Sequence, residues 1–150
     1  MRLLREVRNL MGSYHVKSGI YHYYRNEFKQ AVDFFTKALK DEPTLGESDR
    51  RAARYYLTQT YIQSAEKLAG AGDLEGAMAE YEAAHALQPD NPELAFWHGV
   101  TLAANGREAE GRELLERAYA DRDGWRELLR RLPAAGLFPN DAELVARLTS

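Results

Sequence analysis

With 150 residues, 45% of them apolar, the chain has the length of one domain and can bury a core without metal or crosslinks. It contains no Cys, which excludes disulfides, and its formal charge of −3 gives no overall attraction to nucleic acid or to an anionic membrane. The opening MRLLREVRNLMGSY interrupts its apolar stretch with Arg5, Glu6, Arg8 and Asn9, so it lacks a signal-peptide core. No stretch approaches the roughly 20 apolar residues of a membrane span. A cytoplasmic chain with no membrane insertion is expected.

The first helix is predicted from about 10 to 25. Leu3, Leu4, Val7, Leu10 and Met11 have the spacing of an amphipathic stripe that would extend it backward. A second helix follows over about 27 to 41. Thr44-Leu45-Gly46-Glu47 has the Thr-x-x-Glu form of a capping box, so the third helix is predicted to start near 45 and run to Leu68, a length of roughly 36 Å. Gly70, Ala71 and Gly72 end it. Helices are then predicted at about 74 to 87, 92 to 104 and 107 to 120. Beyond them Trp125, Leu128, Leu129 and Leu132 share one helical face, with Arg126, Glu127, Arg130 and Arg131 mainly on the other, and Pro133 stops that helix. Asn140, with Glu143 three residues later, is read as the N-cap of a last helix over 141 to 148.

Residue chemistry argues against an enzyme. His15 and His22 are seven apart, not the three or four that lets two imidazoles share a metal, and there is no His-Glu-x-x-His. His22, His85 and His98 fall at packing or flanking positions. Gly-x-Ser-x-Gly is absent, and the glycines at 70, 72 and 76 lack the Lys-Ser or Lys-Thr of a phosphate loop. No catalytic residue, cofactor or metal is therefore predicted. The clusters Arg2, Arg5, Arg8 and Arg50, Arg51, Arg54 are read as solvated helix faces in preference to a nucleic-acid site.

Three segments repeat. FKQAVDFFTKALKDEP, LEGAMAEYEAAHALQP and EAEGRELLERAYADRD align a small residue (Ala31, Ala77, Gly111), a large one (Phe35, Tyr81, Leu115) and an Ala (Ala38, Ala84, Ala118). Each set is separated by 46 and then 34 residues, so the first interval carries 12 extra. Gly19, Ala65 and Gly99 take the small position of the preceding helix, Asn26, Gly72 and Gly106 the turn, and Pro43 and Pro89 the close. This pattern resembles the tetratricopeptide repeat (TPR) family over roughly residues 12 to 123. The first helices are less typical, with His15, Tyr61 and Ala95 at the large position, and Asp123 replaces the third closing Pro.

The resemblance implies an all-α, right-handed helix-turn-helix solenoid with an elongated first helix in repeat 2. Repeats would span about 12–45, 46–91 and 92–123, with a C-terminal cap over 124–150. The ending GWRELLRRLPAAGLFPND resembles those of other bacterial repeat modules and is read as a complete C-terminus. It further implies a protein-protein interaction scaffold whose concave groove is lined by Val16, Ile20, Tyr23, Tyr24, Gln59, Ile62, Glu66, Glu93, Phe96 and Val100, with Ser13, Ala69, Gly70, Ala103 and Ala104 beside them. A partner protein or peptide, a second copy, or this chain's own residues 3–11 would fill that groove; alternatively its tyrosines pack between the first helices. Tyr55, Tyr56 and Tyr61 are the alternative self-association surface. Val16, Ile20, Gln63, Glu93 and Trp97 stand where chaperone-tail adaptors of the family carry Lys, Asn and Arg, which argues against carboxylate tails as ligands. In size and repeat number the chain is also similar to the small chaperones of bacterial type III secretion, although these lack the 12-residue extension.

Overall fold

The computed structural model describes residues 2–150, apart from the side chain at position 42. Among these residues there are eight α-helices and no strands: α1 (Arg2–Tyr24), α2 (Phe28–Lys40), α3 (Glu47–Gly70), α4 (Leu74–Leu87), α5 (Pro92–Ala104), α6 (Glu108–Asp121), α7 (Gly124–Arg131) and α8 (Ala142–Thr149). Together they form an all-helical repeat solenoid.

The turns inside the repeats follow the sequence reading. Asn26, Gly72 and Gly106 adopt positive φ of 60°, 88° and 85°, the left-handed conformation that reverses the chain after α1, α3 and α5. Close helix approach depends on small residues. A Cβ on Gly99 would lie 2.8 Å from the Gly111 carbonyl oxygen, and one on Gly111 would lie 2.6 Å from that of Gly99, so α5 and α6 meet backbone to backbone. In the first pair Gly19 makes room for the Phe35 ring in the same way.

The 12 extra residues lengthen α3, and α1 is long for a separate reason. α3 has 24 residues against 13 in α5, as expected, and α1 reaches 23 because the stripe from Leu3 to Met11 is helical. The capping-box reading of Thr44 is corrected. Residues Glu42–Thr44 form a 3-10 turn in which the Thr44 hydroxyl donates to the Asp41 carbonyl at 2.9 Å, so Gly46 sits at the N-cap of α3 without a side-chain bond. At the last helix the cap is Asp141, one residue beyond Asn140, and its carboxylate accepts from the Leu144 amide at 3.0 Å.

Three apolar cores follow one another along the chain. The first joins Val16, Ala31, Phe35, Ala38 and Leu45 to Ala53 and Leu57 from the N-terminal half of α3. The C-terminal half of α3 supplies Ile62 and Ala65 to the second, with Ala77, Tyr81, Ala84 and Leu94. α3 therefore serves two cores with its two halves. The third unites Phe96, Val100, Ala103, Leu115 and Ala118 with Leu129, Leu132, Phe138 and Leu148 of the C-terminal segment. The cap is thus larger than one helix: α7, the following loop and α8 all reach the core. α8 is fastened further by the Tyr119 hydroxyl, which donates to the Leu148 carbonyl at 2.9 Å.

Tyr81 is fully buried, and its hydroxyl is held 2.8 Å from the Thr101 hydroxyl, which satisfies a polar atom that would otherwise be costly in this position. Of the three tyrosines on α3, Tyr61 is half-buried among the first two cores and Tyr56 stacks on Phe35 at 6.2 Å. Only Tyr55 remains open to solvent, which weakens that trio as a self-association surface.

Candidate binding cleft

The first helices of the repeats, α1, α3 and α5, carry all ten of the residues expected to line a groove, but at unequal depth. Val16, Ile62, Phe96 and Val100 are almost completely buried, at 0 to 4% exposure, because each fills one of the three cores. Phe96 lies 4.9 Å from the Trp125 ring, so the cap covers it. Ile20 packs half-buried on the first core. The Tyr23 hydroxyl accepts from Gln63, and that of Tyr24 lies 3.0 Å from the Tyr56 hydroxyl, so both tyrosines tie the end of α1 to α3. Burial raises Tyr23 above the ordinary phenol range, and the Tyr24 hydrogen bond, followed by burial, pushes Tyr56 up to about 12. Residues 3–11 do not enter this surface: they form the exposed start of α1.

What stays open lies between α3 and α5. There a cavity of about 510 Å³ is lined by Glu66, Ala69 and Gly70 on one side and by Trp97, Val100, Thr101, Ala104 and Asn105 on the other. Gly136 and Leu137, from the loop after α7, form its lip. Leu137 is 61% exposed, a large apolar side chain standing at the mouth. Gly136 takes a φ of 76°, which turns the chain there.

The cleft is negative. Glu66 keeps access to solvent, yet the surrounding protein raises its carboxyl above the ordinary carboxylate range, and the nearby Glu93 charge raises it further. Glu93 accepts from Gln59 Nε2 at 3.1 Å, and neither carboxylate has a cationic partner among the described residues. No Lys or Arg lines the cavity. An apolar floor with one acid in its lining and a second nearby favours a ligand that combines an apolar group with a positive charge.

Of the expected groove residues, Glu66 and Val100 line this cavity, with Ala69, Gly70 and Ala104 beside them. Leu137 was missed, and Trp97 was considered only as a replacement for a charged residue of chaperone-tail adaptors. Trp97 is adjacent in sequence to the expected Phe96, and a helical turn of 100° per residue separates a core position from a cleft position. Leu137 lies outside the repeats, so no repeat register points to it.

Between α4 and α5 the His85 and His98 rings meet at 2.9 Å, and His98 stacks on Tyr81 at 4.6 Å. Burial holds both rings below the ordinary imidazole range, that of His98 at about 4, with the neighbouring His85 adding to the effect. They form a neutral packed pair. No group of three His, Cys, Asp or Glu among the described residues is placed to hold a metal.

Residues 68–135 match the tetratricopeptide repeat family. This match, together with the all-helical fold, supports a tetratricopeptide-type repeat protein. The match runs from the end of α3 through α7, the part in which both repeat helices have standard length. Comparison with curated proteins and with solved structures gives no match. Tetratricopeptide repeats generally mediate protein-protein interactions. No helix among the described residues is long and apolar enough to cross a membrane.

Proposed function

We propose that this chain is a non-enzymatic interaction scaffold that receives a peptide or helix of a partner protein in the cleft between α3 and α5. The observation that carries this reading is the cavity of about 510 Å³ in which Trp97 and Val100 form an apolar wall, Leu137 a movable-side-chain lip, and Glu66 the charge at the rim. Its volume accommodates one or two large side chains of a peptide, within the roughly 300 to 1,000 Å³ of ordinary ligand sites. The ligand recognised is an apolar residue flanked by Lys or Arg. An apolar side chain displaces water from Trp97 and Val100, and a cation relieves the repulsion between Glu66 and Glu93.

The test is selection from a random peptide library displayed on phage, followed by fluorescence titration of the selected peptides. Trp125→Phe makes Trp97 the only Trp, because the chain has 2. Selected peptides enriched in an apolar residue next to Lys or Arg, and a Trp97 signal lost on Glu66→Lys, support the proposal. Peptides that bind with equal affinity to Glu66→Lys and to a Trp97→Ala, Leu137→Ala double variant would sink it.

A further inference from the structure

The outer side of α1 is apolar and no described residue covers it. Leu3, Val7, Leu10 and Tyr14 are separated by four, three and four residues, the seam spacing of paired helices, and Leu4 and Met11 flank them. All six are exposed, Leu3 and Leu10 each at 72%. The residues that α1 gives to the body, Gly12, Val16 and Gly19, lie on the opposite side of the helix. α2 has 13 residues against 23 in α1, so it covers only part of that length, and every residue from 2 to 8 is exposed. Two helical turns exposed in this way are marginal in water, since helices below about 12 residues gain too little to offset nucleation.

We infer that this stripe pairs with the same stripe of a second copy, antiparallel, in a two-fold dimer. The register that puts only apolar residues across the seam sets Val7 against the partner's Leu10 and Leu3 against the partner's Tyr14. Charge selects the direction. Arg2, Arg5 and Arg8 outnumber Glu6 at the start of α1, and a parallel pair would set the two arginine clusters side by side. The antiparallel register offsets Arg5 from its copy by roughly 10 Å along the axis, about a Debye length at moderate salt, and Arg2 by roughly 20 Å, and leaves only Arg8 beside its copy. It also sends the two solenoid bodies toward opposite ends of the paired helices. The six side chains expose about 100 Å² each, so the pair buries on the order of 1,200 Å², the lower limit of stable specific interfaces. The narrow seam favours a helix as occupant over a lipid surface, which an interfacial helix meets with a broader apolar face.

Sedimentation velocity of the full chain over roughly 1 to 100 µM, the range in which weak dimers assemble, tests this. The expected result is a rise from the mass of one chain to twice that mass, abolished by Leu10→Arg with helicity by circular dichroism preserved. The absence of Cys makes direction measurable. A mixture of Val7→Cys and Leu10→Cys chains should crosslink on oxidation several-fold better than either alone. A single-chain mass at the highest concentration overturns the inference, and so does self-crosslinking of each variant as efficient as that of the mixture, which marks a parallel pair. Binding of a monomeric chain to phosphatidylserine vesicles, lost on Leu10→Arg, assigns the stripe to a membrane surface and overturns it as well. Peptide binding in the α3–α5 cleft is separate and should survive Leu10→Arg.

Discussion

The two ends of the solenoid solve the same problem differently. A stack of repeats has an apolar face left over at each end. At the C-terminal end α7, its loop and α8 close over the last repeat and bury Leu129, Leu132, Phe138 and Leu148 against α5 and α6. At the N-terminal end Leu3, Leu10 and Tyr14 stay open. One end spends some 27 residues on intramolecular cover, and the other keeps its apolar surface for association. Apolar burial is thus concentrated at one end and exposed apolar helix surface at the other.

That contrast can be broken at several strengths. Phe96→Ala empties a fully buried position beneath Trp125 and should cost about 3 to 5 kcal/mol in urea denaturation, whereas Leu3→Ser in the dilute protomer should stay within about 0.5 kcal/mol. Equal effects would show that the two ends are not energetically distinct. Gly99→Ala comes next: its Cβ would meet the Gly111 carbonyl oxygen at 2.8 Å, backbone that no rotamer change relieves, for a loss of about 1 to 3 kcal/mol. Gly70→Ala, with open space around it, is the control and should not destabilise.

A smaller effect is expected from Tyr119→Phe, which removes the donor to the Leu148 carbonyl and should cost about 1 kcal/mol. Hydrogen exchange should then quicken across 142–149 while α1 is unchanged; uniform acceleration would mean that the cap does not open by itself. The last test is pH. Burial lowers both His85 and His98 in the folded chain, so the unfolded chain takes up protons first. The stability that the neutral pair permits is complete above the unfolded value near 6.5 and falls with pH toward about 4. His98→Gln should flatten the urea midpoint between pH 7.5 and 5, and an unchanged slope would remove the pair as its cause.

Much of the fold was legible because its determinants are local. The recurrence of Ala31, Ala77 and Gly111, with left-handed residues at each turn and Pro92 at the start of α5, places most helix ends within two or three residues. The site was less legible because repeat register fixes the angular position of a side chain but not what lies over it. Phe96 is covered by Trp125, 29 residues later, and Leu137 forms a wall of the cleft from outside the repeats. The His85–His98 contact likewise joins two helices that no local spacing relates. Thr44 shows the same limit on a small scale: its hydroxyl has two possible partners in sequence, and the turn before α3 takes it.

α3 belongs to the first core through Ala53 and Leu57 and to the second through Ile62 and Ala65. Its middle, where Thr58, Gln59 and Thr60 are all buried, is released only when both cores are disturbed together. The slowest-exchanging amides of this protein should therefore lie at the seam between two repeats. Its mechanical centre is a shared rod, and each repeat is a lighter load hung on one half of it.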